Sequence, residues 1–127
     1  MKTLNPSGWT RPSGYSNGVA AQGELVFVAG MIGWDQQGRI EPGFAAQFSQ
    51  CLDNIIAVLE EAGAGPEHVT RMTWYVTDLD AYRESTREIG PIYRQKMGKN
   101  YPVMAVIGVS GLVEPDALLE IETTAVI

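Results

Sequence analysis

Glu120 and Glu122 stand two residues apart in the segment Leu118-Leu119-Glu120-Ile121-Glu122-Thr123-Thr124-Ala125-Val126, and that spacing makes them candidates for chemistry. Alternate side chains of an extended strand share a face, so both carboxylates project from one side while Leu119, Ile121 and Ala125 occupy the other. A carboxylate lodged in a cleft can position a water or pass a proton to a leaving amine. The same pattern also suits a solvated edge strand in which Glu and Thr alternate. The spacing alone leaves both readings open.

The other reactive residue types read as structure. His68 is the sole histidine and Cys51 the sole cysteine, so no pair has metal-ligand spacing and no metal is expected. His68 follows Glu67 at the start of a strand and reads as solvated. Cys51 falls in an apolar helical stripe with no basic sequence neighbour to lower its pKa, so it reads as a buried thiol. Asp78 and Asp80 sit where a helix begins, a place that favours carboxylates through the helix dipole. Gly63-Ala64-Gly65-Pro66 follows a helix and lacks the Lys-Ser/Thr of a phosphate loop; it reads as a cap and turn.

The elements that must hold these residues follow from periodicity. The first fourteen residues, rich in Pro, Gly and Ser, predict an irregular lead-in. Tyr15 to Ala21 and Glu24 to Gly30 predict two strands joined as a hairpin at Gln22-Gly23. A glycine-punctuated loop around Trp34-Asp35 comes next. Phe44, Phe48, Cys51, Leu52, Ile55, Leu59 and Ala62 then recur at helical spacing, ending at Gly63 and Pro66. Val69 to Thr77 alternates, with Met72, Trp74 and Val76 on one face. Asp78 is placed to cap a second helix with the stripe Tyr82, Thr86, Ile89, Tyr93 and Met97, and Gly90-Pro91 predicts a kink or break near Ile89. The last strands are Val103 to Val109 and Leu118 to Val126. The order β-β-α-β-α-β-β predicts one α+β domain over residues 1–127, with both helices on one face of a sheet. Val103 to Val109 is apolar on both sides, and two helices cannot cover both faces of the sheet. Association with further copies is the simple way to cover the second.

Bulk composition narrows the function classes. A chain of 127 residues with 45% hydrophobic and 19% charged residues is an ordinary globular composition. The net charge is −6 and no basic cluster is present, which argues against nucleic-acid binding, since that needs positive charge to displace counterions. No apolar stretch approaches membrane-spanning length, and the start is not that of a signal peptide, so no membrane partner is expected. One cysteine cannot form an internal disulfide, which agrees with a cytoplasmic location.

Several segments, in this order and spacing, resemble the RidA (YjgF) family of reactive-intermediate deaminases. They are Gly14-Tyr15-Ser16-Asn17-Gly18-Val19, Val26-Phe27-Val28-Ala29-Gly30-Met31-Ile32-Gly33, Asn54-Ile55, Tyr75-Val76-Thr77-Asp78, the Tyr101-Pro102 strand and Glu120-Ile121-Glu122. The resemblance runs from Tyr15 to Val126. It implies a chorismate-mutase-like α+β fold, a homotrimer whose sheets enclose a central β-barrel, and small-molecule clefts between subunits. It also implies hydrolysis of enamines and imines to 2-keto acids and ammonia without a cofactor. Around the cleft it places Glu120 as the catalytic acid–base, with Tyr15, Met31, Ile32, Gly33, Trp34 and Met104 contacting the metabolite. Two positions depart from the deaminating pattern: Met104 stands where those proteins carry a carboxylate-binding arginine, and Gly90 where they carry an asparagine. A thioether has neither donor nor charge for a carboxylate. Trp34 and Trp9 are then expected to add apolar wall, and Arg11 is available as a substitute cation. Two functions remain: hydrolysis of an enamine or imine not gripped by the usual arginine, or a non-catalytic trimeric small-molecule binding or regulatory protein.

Overall fold

Helical periodicity is realised in α1, Phe44–Glu61, which buries Phe44, Gln47, Phe48, Cys51, Leu52, Ile55 and Leu59 along one stripe. These coordinates are a computed structural model describing residues 1–127. Gly63 terminates the helix in the left-handed region (φ 73°), its N–H donating to the Glu60 carbonyl. Asp78 caps α2, Leu79–Met97, by accepting from the amides of Asp80 and Ala81. This second helix buries Ile89, Tyr93 and Met97. The two helices lie side by side, joined at the surface by Lys96 and Asp53.

Both helices cover one face of a four-stranded sheet in the order β3-β6-β4-β5. Its strands are β3 (Leu25–Met31), β4 (Val69–Val76), β5 (Val103–Gly108) and β6 (Leu119–Val126). The sheet is mixed: β4 and β5 run parallel, whereas β6 runs antiparallel to both β3 and β4. Met72, Trp74 and Val76 of β4 point into the core, as do Leu119, Ile121 and Ala125 of β6. Leu52, Ile55 and Leu59 are completely buried there. Truncating such a residue to alanine costs about 2–5 kcal/mol.

Three expectations are corrected. The lead-in is not wholly irregular, because Lys2–Leu4 forms β1. That strand pairs antiparallel with β2, Gly18–Ala20, in a separate two-stranded sheet, so β2 and β3 are not a hairpin. Gly23 is needed for a close approach instead. A Cβ there would overlap the Ile127 carbonyl, next to the reciprocal backbone bonds between Glu24 and Ile127. Finally, α2 runs unbroken through Gly90 and Pro91. Pro91 lies on the exposed side, as does Arg87, whose carbonyl loses its helical donor and can bond water.

Candidate functional site

Parallel register sets the direction of Met104. It stands opposite Met72, and Val106 opposite Trp74, so both face the helices. Between β5 and α2 this leaves a cleft of about 630 Å³ lined by Tyr15, Trp74, Tyr82, Tyr101 and Met104 among others. Tyr15 reaches it because Ser16 is tied to the start of β5. The Ser16 amide donates to the Pro102 carbonyl at 3.0 Å and its hydroxyl to the Tyr101 carbonyl. The walls are aromatic. Tyr93 and Tyr101 stack at 5.7 Å between centroids, and Tyr82 meets Trp74 edge-on at 6.3 Å. Burial, with Tyr101 alongside, pushes the Tyr93 phenol well above its ordinary pKa, and its hydroxyl donates to the Asn100 carbonyl. Trp74 is buried, and its indole N–H has no acceptor.

Glu120 lies on the other face of the sheet. In β6 it pairs with Tyr75, whose ring also points away from the helices, and Glu122 pairs with Thr73. The Glu120 carboxylate packs over Gly30, where any Cβ would collide with it, and it enters none of the chain's ion pairs. Hydrogen bonding to Glu122 is the main cause that raises the Tyr75 phenol above its ordinary value. Desolvation and the charges of Glu122 and Glu120 add to it, so Tyr75 stays a neutral hydroxyl here.

Gly30 opens the segment that carries the remaining expected residues. Met31 is half-buried against the core and Ile32 is buried, so neither side chain is freely presented. Their carbonyls are engaged as well: Cys51 Sγ donates to that of Met31, and Asn54 Nδ2 to those of Ile32 and Trp34. Gly33 is needed because a Cβ would come within 2.9 Å of Gln47 backbone atoms. Trp34 is exposed at the start of a loop closed by Asp35, which accepts from the Gln37 and Arg39 amides. The Arg39 amide is the main reason the Asp35 carboxyl sits below its ordinary pKa.

One chain therefore brings Tyr15 and Met104 into one cleft, and Glu120 against the Gly30 end of the Gly30–Trp34 segment on the opposite sheet face. It does not bring the two sets together. Trp9, Trp34 and Arg11 are not part of the Met104 cleft. Arg11 lines a separate one of about 740 Å³ that shares Tyr15 and Tyr101 with it. Cys51 is buried, and desolvation, with the Glu120 charge adding, pushes its thiol up to about 12. His68 is a structural residue: its Nδ1 accepts from the Gly65 amide in the short 3-10 turn Pro66–His68.

Sequence reasoning gave no site role to Gln47, Trp74 or Arg94, although it turned Trp74 inward. Gln47 is buried and fully bonded, donating to the Glu41 and Asp116 carbonyls and accepting from the Leu118 amide. Its only sequence signal was its place beside Phe48 on the α1 stripe.

Comparison with known proteins bears on this geometry. A family model described as Endoribonuclease L-PSP matches residues 10–127. A RutC family protein of Aquifex aeolicus is 34% identical over 113 residues, covering 88% of this chain and 87% of that protein. The chain belongs to the RidA (YjgF) family. Solved structures give the same fold. A Rid-family protein of unknown function from Yersinia pestis superposes with a TM-score of 0.83 at 30% identity, covering 99% of this chain and 98% of that one. TdcF of E. coli, solved with bound serine, superposes with a TM-score of 0.73 at 27% identity, covering 100% of this chain and 99% of that one. The α+β arrangement expected of a RidA protein, two helices on one face of a sheet, is the one observed.

Proposed function

We propose that this RidA-family protein hydrolyses an enamine or imine metabolite to a carbonyl compound and ammonia, without a cofactor, in clefts between the subunits of a cytoplasmic homotrimer. The observation that carries the reading is Glu120, an unpaired carboxylate held over Gly30 on the open face of the sheet. The trimer reading draws on the placement of the two sets of residues. Within one chain Tyr15 and Met104 face away from Glu120, and a second copy can supply the missing half. The open face also exposes Leu25, Phe27 and Ile107, apolar area that calls for a partner.

Protonation at carbon by solvent converts an enamine to its iminium. Glu120 takes a proton from a water as that water's oxygen bonds to the iminium carbon, giving a neutral carbinolamine. It passes that proton to nitrogen and then accepts the hydroxyl proton as the C–N bond breaks and the C=O bond forms, releasing ammonia; return of that proton to solvent restores the carboxylate. Tyr75, neutral beside Glu120, can donate a hydrogen bond to the polar centre. The substrate is held without the usual arginine–carboxylate pair, since Met104 offers none. With a net charge of −6, RNA is not proposed as a partner.

Met104 favours a second reading, a trimeric protein that binds a metabolite or regulates without chemistry. Glu120→Gln separates the two, because it keeps size and hydrogen bonding but removes acid–base capacity. Under the hydrolase reading it lowers turnover by about 10²–10⁴-fold with the fold intact. Unchanged turnover in the variant would remove Glu120 from the mechanism. Binding without turnover in the wild type favours the second reading.

A further inference from the structure

The Met104 cleft has a single charged residue in its lining, Arg94 of α2. Arg94 is exposed at the rim and joins none of the chain's ion pairs. The residues three and four positions from it on the helix, Gly90, Pro91, Met97 and Gly98, carry no charge to neutralise it. One turn earlier, Gly90 leaves the cleft wall open, since a Cβ there would meet nothing within 4 Å. Deeper in the wall is Trp74, 4% exposed, with a donor that nothing accepts from. Its rings join those of Tyr82 and Tyr93 in an aromatic wall, with centroids 6.3 and 6.4 Å away.

We infer that this cleft takes a planar aromatic or similarly bulky apolar molecule bearing a carboxylate, with the carboxylate held by Arg94, so that the substrate class is the 2-imino or 2-enamino acids with large side chains. The inference rests on the hydrolase reading for the reaction and on the cleft alone for the binding class. The apolar body lies among Trp74, Tyr82, Tyr101 and Met104, where offset and edge-on contacts with a ring are favourable. A guanidinium at the rim provides the charge-assisted donors that the thioether at position 104 lacks. Relative to an arginine at position 104, the anion site has moved from the strand to the helix, and Gly90 opens space beside it. A short acid such as pyruvate carries no body to fill the aromatic part.

The test measures binding by tryptophan fluorescence and calorimetry with three probes: phenylpyruvate, pyruvate, and the uncharged 1-phenylpropan-2-one. Phenylpyruvate is expected to bind at least about tenfold more tightly than either of the others. Arg94→Gln is expected to weaken phenylpyruvate by about tenfold or more and leave the ketone unchanged, while Gly90→Asn weakens both aromatic probes by refilling the cleft. Arg94 is exposed, so loss of fold is not expected; unchanged melting curves check this. Equal affinity for pyruvate, or phenylpyruvate binding indifferent to Arg94→Gln, overturns the inference. Turnover is read separately as ammonia release from the 2-imino acids that an amino-acid oxidase generates from phenylalanine and from alanine. Phenylpyruvate selectivity lost in Arg94→Gln, with no acceleration of either hydrolysis, upholds the binding class and removes the hydrolase reading. Acceleration that does not depend on Arg94 upholds the hydrolase and removes this inference.

Discussion

At position 104 a half-buried thioether lies among aromatic rings, where it adds dispersion contact but no donor and no charge. A small imino acid whose affinity depends on a charge-assisted pair at that position loses about 2–5 kcal/mol without it. Turnover of 2-aminoacrylate is therefore expected to fall about 30-fold or more below that of an arginine-bearing relative assayed alongside. Met104→Arg is expected to recover part of the difference, with Gly90 still departing from the deaminating pattern. Comparable rates in the wild type would mean that another residue grips the small acid. Cys51 is a second residue whose behaviour follows from its surroundings. With its thiol pushed up to about 12 and no exposed surface, it is expected to resist iodoacetamide in the native protein at pH 8 and to react once urea unfolds the chain. Rapid native alkylation would contradict the burial.

The elements divide the work between a platform and a wall. Helix α1 is the platform: Asn54 holds the Ile32 and Trp34 carbonyls, and Gln47 clamps the approach to β6. Gln47→Leu keeps the volume but strands the Leu118 amide and the Glu41 and Asp116 carbonyls, and each buried group left unpaired costs about 1–3 kcal/mol. A clear drop in the urea midpoint is expected, and an unchanged midpoint would show that water replaces the amide. Helix α2 is the wall, and its start depends on the Asp78 cap, where Asp78→Ala is expected to cost about 1 kcal/mol by the same measurement. The two helical stripes, the Asp78 cap and the Gly63 stop were legible in the sequence because they are local signals. The kink expected at Gly90-Pro91 was not realised, since Pro91 sits on the exposed side where its missing donor is tolerated. The β1–β2 pairing was not legible, since three-residue strands carry too little pattern to announce a partner.

For the whole molecule, the uncovered sheet face is the feature with the largest consequence. Phe27 is 73% exposed and Leu25 58% exposed on it, beside the Glu120–Glu122 row. Such area on a protein of this size is costly unless covered by another copy. Light scattering is expected to give three times the 13.8 kDa chain mass. Phe27→Glu is expected to shift the population toward smaller species by placing a charge inside that contact. A monomer at micromolar concentration in the wild type would remove both the trimer and the shared cleft.

The sequence by itself determined which side of each strand and helix is apolar. Glu120 and Glu122 share the face opposite Leu119 and Ile121, Met72 and Trp74 turn inward, and Asp78 begins a helix, because all of these follow from periods of two and 3.6 along the local chain. The family was legible as well, through residues spread from Tyr15 to Val126. Only the tertiary structure decided that β3 joins β6 while β2 turns to β1, since Gln22-Gly23 reads as a turn until Ile127 is seen packed against Gly23. It also decided that Met104 and Glu120 lie on opposite faces of one sheet, and that Arg94 and the unpartnered Trp74 share the Met104 cleft. Those facts depend on which distant segments pair and in what register. Local periodicity encodes a face to be buried, and only the folded chain chooses what buries it.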